Sequence, residues 1–154
     1  MSLSPQKRVE GMWHRVFKGT MLEIPCAASW IESIAADLEL ADSRAFAMQI
    51  CLEELMSNIV RHGRAPSPSK SQADPAKPLF ISITVDASAD RITITVEDNG
   101  QPFNVAEAPA KWIDRPLEQL QPGGLGIQLI KSFASNLEYR RTAKGNRVIV
   151  EFRD

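Results

Sequence analysis

The chain has 154 residues, 44% of them apolar and 24% charged, which describes one ordinary globular domain and excludes a disordered or fibrous chain. Its formal net charge of −1 gives no electrostatic footprint for nucleic acid or an anionic membrane. Two cysteines and two histidines supply neither a disulfide framework nor a persuasive zinc site, and no apolar run reaches membrane-spanning length.

Lys7 and Arg8 are not followed by the apolar core of a signal peptide, so a cytoplasmic domain with no direct nucleic-acid or membrane contact is the default expectation. Residues 1–13 carry no clear period, and 1–14 reads as a loose lead-in to a single domain over 15–154. RVFKGTMLEIP (15–25) reads as a first strand, stopped by Pro25. SWIESIAADLEL follows as a helix, with Ser29 and Glu32 at capping-box spacing and Ile31, Ile34, Ala35 and Leu38 as its stripe. Asp42 can cap a second helix, SRAFAMQICLEELMSNIVRH, which Gly63 ends.

The stretch 64–78 is rich in Pro, Ser, Ala and Lys and reads as a surface loop longer than usual within a domain. LFISITVD and RITITVED are alternating strands joined near residues 87–90, an antiparallel hairpin. Residues 99–122 hold four prolines and no sustained period. GGLGIQLIKSFAS opens on glycines and becomes a helix. NLEYRRT and RVIVEF close the chain as a second hairpin, turning at 143–146. This order predicts an α+β fold, a two-layer sandwich with helices on one face of a largely antiparallel sheet.

Three stretches carry chemistry. In CLEELMSNIVRHG, Met48, Cys51, Leu52, Leu55 and Ile59 form the apolar stripe of a helix. Glu54 and Asn58 lie on its border, one turn apart, while Glu53 points away. An acid beside an amide can hold a hydrated cation such as Mg2+; equally, the two can be solvated residues of an amphipathic helix. In ITITVEDNGQPFN the alternation of Ile92, Ile94 and Val96 carries Asp98 onto the apolar face. Either Asn99-Gly100 makes a hairpin turn that Asp98 flanks, or Asp98 stands at the mouth of a pocket and accepts from a ligand's amino group. Pro102, which lacks an amide hydrogen, weighs against a following strand, and Gly100 would let backbone approach a flat ring. In QPGGLGIQLI, Gly123, Gly124 and Gly126 precede a helix, an arrangement that suits a phosphate and also serves as a plain hinge.

Taken in order, EELMSNIVRH, EDNGQPF and GGLGIQLI resemble the N box and two glycine boxes of the GHKL (Bergerat-fold) ATPases. Within that superfamily the chain is similar, over roughly residues 15–153, to the stand-alone anti-sigma-factor serine-protein kinases. The resemblance implies that Asn58 helps hold Mg2+ against the phosphates of ATP. It makes Glu54 the candidate general base toward a serine hydroxyl or water. Asp98 would accept from the adenine amino group, with Gly100 beside the ring. Gly124, Leu125 and Gly126 would sit at the phosphates, residues 105–122 would form a lid, and His62 would end the N box in a structural role. It further implies a homodimer that phosphorylates a STAS-domain anti-anti-sigma protein and sequesters a sigma factor. The proline-rich 64–78 loop and Asn104, where an aspartate often stands, depart from the family pattern. From the length of the sequence, neither a histidine-kinase dimerisation helix pair nor a transducer domain is expected. The alternative is a nucleotide-binding regulatory module that holds a partner without kinase activity. A structural domain with no nucleotide would require three coincident motifs.

Overall fold

The computed structural model describes residues 7–9, 11–63, 77–88, 90–103 and 124–153. Its elements are β1 (Lys7–Val9), β2 (Met12–Lys18), α1 (Ile24–Asp37), α2 (Asp42–His62), β3 (Phe80–Ser88), β4 (Arg91–Asp98), α3 (Gly124–Phe133), β5 (Asn136–Thr142) and β6 (Gly145–Arg153). The six strands form one sheet in the order β1-β2-β3-β4-β6-β5, and every neighbouring pair is antiparallel. This is the predicted two-layer α+β architecture.

The strands alternate because one side meets the helices and the other does not. Ile81, Ile83 and Val85 of β3 and Ile92, Ile94 and Val96 of β4 are buried, while Ser82, Thr84, Thr93 and Thr95 between them are more exposed. Onto that apolar side α1 presents Ala27, Trp30, Ile31 and Ile34, and α2 presents Met48, Cys51, Leu52, Leu55, Met56 and Ile59. Ile127 and Ile130 of α3 join the same core, and α3 packs on α2. Each such large apolar side chain contributes about 1.5–3 kcal/mol on full burial, so the two long helices are held chiefly by their stripes. Trp30 meets Phe17 of β2 edge-on, with ring centroids 5.8 Å apart.

Several expected boundaries are corrected. The first long strand is β2, which begins at Met12 inside the supposed lead-in and ends at Lys18; β1 pairs with it. Pro25 does not stop that strand. It lies in the first turn of α1, where its fixed φ suits a helix and its missing N–H costs nothing. Ser29 therefore sits inside α1 and is no cap: Ala27 and Ala28 already extend the buried stripe one turn earlier. Asp42 is likewise the first residue of α2, with Ala41 in the cap position, and its charge favours the helix dipole from within the first turn. Gly63 ends α2 as expected. The β3–β4 and β5–β6 hairpins stand as predicted, except that Gly145 and Asn146 belong to β6. Residues 64–76 and the segment 105–122 lie outside the described residues.

Candidate functional site

β4 is an inner strand, hydrogen-bonded to β3 on one side and β6 on the other, and its last residue is Asp98. In register, Asp98 faces Ile81 on β3 and Asn146 on β6. Cross-strand partners project to the same side of a sheet, so Asp98 and Asn146 meet on the core face, where they are 7% and 4% exposed. No hairpin begins here. Asn99 instead prolongs the ladder with its side chain: its Oδ1 accepts from the Phe80 N–H at 2.8 Å and its Nδ2 donates to the Pro78 carbonyl at 2.9 Å. The chain then leaves the sheet through an Asx turn, in which the Gly100 N–H donates to Asp98 Oδ1 at 2.8 Å.

Asn146 is the hub of the polar network at this end of the sheet. Its Nδ2 donates to Asp98 Oδ1 at 3.1 Å and to the Gln101 carbonyl at 2.7 Å. Its Oδ1 accepts from the Tyr139 hydroxyl at 2.6 Å, Arg141 Nη1 at 3.3 Å and the Phe103 N–H at 3.4 Å. Arg141 also donates to the Gly100 carbonyl at 2.7 Å. Burial pushes the Asp98 carboxyl up from its ordinary value, opposed by the Gly100 N–H, the Asn146 amide and the Arg141 charge.

Two glycines permit this close assembly. A Cβ on Gly145, whose φ is +152°, would fall 1.8 Å from the Asp98 carbonyl oxygen. A Cβ on Gly100 would fall 2.6 Å from the Gly63 carbonyl oxygen and 2.9 Å from Asp98 Oδ1. Gly100 is thus required first by the end of α2. That contact is reinforced by Gln101, whose N–H donates to the Gly63 carbonyl at 3.0 Å and whose Nε2 donates to the His62 carbonyl at 2.5 Å. The His62 ring stacks on Phe103, with centroids 4.4 Å apart.

Asp98, Asn146, Leu55, Ile59, Gly63, Phe103 and Val148 bound a small cleft between sheet and α2, with free volume of about 10 Å³, on the order of one water. Two larger clefts lie elsewhere: one of about 210 Å³ around Leu40, Arg44, Arg91 and Phe152, which none of the candidate site residues lines, and one of about 280 Å³ around Phe80, Glu97 and Lys144, which Asp98 and Asn146 also border.

Glu54 and Asn58 each precede by one residue the α2 side chains, Leu55 and Ile59, that wall the small cleft. Asn58 is 3% exposed and Glu54 is half-buried. Among the described residues, neither Glu54 Oε2 nor Asn58 Nδ2 has a hydrogen-bond partner, although both atoms are buried. A buried polar atom left so costs about 1–3 kcal/mol, which a donor to Glu54 and an acceptor for Asn58 would offset. Glu53, by contrast, accepts from Gln49 Nε2 at 3.3 Å. Burial raises the Glu54 carboxyl above its ordinary value; Arg61 lowers it and Glu53 raises it further. Cys51, on the same face, is pushed up to about 12 by burial and by Glu54, which leaves it an inert thiol.

An acid and an amide suit a hard cation: turning the Asn58 amide presents Oδ1, an oxygen ligand, to the same space. Among the described residues no group of three or more His, Cys, Asp or Glu could hold a metal, so a cation here would take most of its ligands from phosphate and water. Gly124, Leu125 and Gly126 form the first turn of α3, where N–H groups have no intrahelical acceptor and the dipole favours an anion. Asn146, Tyr139, Arg141, Gln101 and Gly145 are not legible as site residues in the motifs. The alternation of RVIVEF, extended back past Arg147, is the signal that places Asn146 on a strand.

The chain matches the histidine kinase-like ATPase domain family over residues 20–152. It is similar to the serine/threonine-protein kinase BtrW of Bordetella bronchiseptica, at 28% identity over 115 residues covering 75% of each chain. It is also similar to the serine-protein kinase RsbW of Bacillus mycoides, at 27% identity, covering 79% of this chain and 77% of that one. The histidine kinase domain of the blue-light activated histidine kinase EL346 of Erythrobacter litoralis aligns with a TM-score of 0.48 at 15% identity, over 86% of this chain and 60% of that chain.

Proposed function

The chain belongs to the histidine kinase-like ATPase domain family, and from that premise we propose that it is an ATP-dependent protein serine kinase whose substrate is a STAS-type anti-anti-sigma protein. We infer that it also binds a sigma factor, so that phosphorylation of one partner controls release of the other, and that it acts as a homodimer. The similarity to BtrW and RsbW supports the kinase chemistry. The observation that carries nucleotide binding is the buried Asp98 carboxylate at an apolar cleft, its hydrogen bonds from the described residues all falling on Oδ1.

Asp98 would accept from the exocyclic amine of adenine, while Leu55, Ile59 and Val148 enclose the ring. The cleft has room for little more than a water, so the 101–103 segment and its His62–Phe103 stack would give way as the base enters. The backbone N–H groups of Gly124, Leu125 and Gly126 would bind phosphate oxygens. Mg2+, held by Asn58, would supply neutralisation of phosphate charge. Glu54 would receive the proton of the attacking serine hydroxyl. The serine oxygen forms its bond to the γ-phosphorus as the bond to the β–γ bridging oxygen breaks, and ADP leaves with that electron pair. A carboxyl raised by burial is a stronger base than a solvated one, which suits this role. In this scheme the protein mainly positions and orients, as phosphoryl transfer asks.

The test pairs binding with chemistry. Mg2+-ATP is expected to raise the melting temperature, by mass action on the native state, and a co-purified STAS protein is expected to acquire seryl phosphate. Stabilisation without seryl phosphate, unchanged in Glu54→Ala, would replace the kinase with a nucleotide-binding regulatory module. No stabilisation at millimolar nucleotide would remove both.

A further inference from the structure

Asn146 lies outside the three motifs, yet more side-chain hydrogen bonds converge on it than on any other described residue of the cleft. Its amide has one possible orientation. At one end stand an arginine and a backbone N–H, which can only donate, together with the Tyr139 hydroxyl, so that end is the oxygen. At the other end stand the Gln101 carbonyl and the Asp98 carboxylate, which accept, so that end is the nitrogen. Both amide hydrogens are then used, one on Gln101 and one on Asp98 Oδ1. With the Gly100 N–H on the same oxygen, Asp98 Oδ1 has two donors and its carboxylate plane is fixed. The oxygen left to an incoming donor is Oδ2.

We propose that Asn146 is a positioning residue that sets selectivity for 6-aminopurine over 6-oxopurine nucleotides by locking the Asp98 carboxylate. The inference rests on the nucleotide-binding proposal above. A fixed acceptor matches the amine at C6 of adenine and meets the carbonyl at C6 of guanine or hypoxanthine with like polarity. A carboxylate free to turn is less exclusive, because guanine offers N1–H and its 2-amino group as donors elsewhere on the ring. Discrimination therefore depends on the lock as well as on the carboxylate: a site built around one fixed hydrogen bond rejects analogues that leave it unpaired. Tyr139 and Arg141 extend the lock by holding the amide from behind.

The experiment measures dissociation constants of Mg2+-ADP, Mg2+-GDP and Mg2+-IDP by calorimetry for the wild-type chain, Asn146→Leu and Tyr139→Phe. Asn146→Leu keeps the approximate shape and removes both ends of the amide. Tyr139→Phe removes one anchor, leaves Asp98 and Asn146 in place, and serves if the leucine variant fails to fold. The expected result is a preference for ADP over GDP and IDP in the wild-type chain that falls by about tenfold or more in Asn146→Leu and by a smaller factor in Tyr139→Phe. A purely structural role would weaken all three nucleotides alike. An unchanged preference in Tyr139→Phe or in folded Asn146→Leu overturns the inference while leaving nucleotide binding in place. A wild-type chain that binds none of the three overturns nucleotide binding itself.

Discussion

The polar groups at the end of the sheet and those on α2 are built in opposite ways. At the sheet end, Asp98 is buried and supplied: Gly100 and Asn146 both donate to it, and Tyr139 and Arg141 hold Asn146. On α2, Glu54 Oε2 and Asn58 Nδ2 are buried and, among the described residues, unsupplied. The first arrangement has its geometry set before a ligand arrives, which suits the proposed reading of a base. The second has hydrogen-bonding capacity that the described residues leave open, which suits the proposed handling of phosphate charge.

If that contrast is right, breaking each half gives a different defect. The largest is expected from Glu54→Gln, which keeps the shape and removes the proposed base. Seryl phosphate formation should fall by about 10²–10⁴-fold while the stabilisation by Mg2+-ATP persists. An equal loss of nucleotide stabilisation would show that Glu54 binds and does not transfer protons. Asp98→Ala should show the reverse order, with nucleotide affinity lost by roughly 1.5–3 kcal/mol, the range for a hydrogen bond to a charged group. Unaltered affinity would move the base elsewhere.

Gly145→Ala attacks only the sheet end. A Cβ there would sit 1.8 Å from the Asp98 carbonyl oxygen at a φ that other residues avoid, so thermal unfolding should show a loss of more than about 1 kcal/mol. A neutral outcome would mean that the β6 turn adapts and that Asp98 is not tightly seated. The smallest effect is on pH dependence. Burial raises the folded-state value of both carboxyls, so the native chain binds more protons than the unfolded one through that window. Their contribution is full at low pH and is lost as pH rises from the ordinary carboxylate range through the folded values. Relative to wild type, ligand-free Asp98→Asn and Glu54→Gln should therefore gain melting temperature as pH rises from about 4 to 7. A gap constant with pH would contradict the burial of these groups.

Much of the architecture is readable from periodicity, because α2 and the β3–β4 hairpin each bury a single clean face. Ile81 to Val85 and Ile92 to Val96 alternate without a break, and Asp98 follows in phase onto the buried side. Elsewhere local signals mislead. Pro25 looks like a strand stop in one dimension, yet α1 accepts it in its first turn because the buried stripe begins at Ala27. Ser29 and Glu32 have capping spacing but lie within a helix already under way. Lys144-Gly145-Asn146 has turn composition, and only pairing with β4, forty-eight positions earlier, gives Asn146 a role. The alternation of β6 can place Asn146 on a strand, but the residue it faces is decided by the sheet as a whole. Gly100 carries a local mark, but its first duty is contact with Gly63 at the end of α2.

Asp98, in the cleft beside α2, is the residue proposed to read a nucleotide base. Calorimetric titration of Mg2+-ADP into the wild-type chain and into Asp98→Asn tests it most directly, since the amide preserves shape and removes the charge. One saturable site is expected in the wild-type chain, with affinity weakened by about tenfold or more in the variant. Equal affinities, or no binding by the wild-type chain, would contradict it.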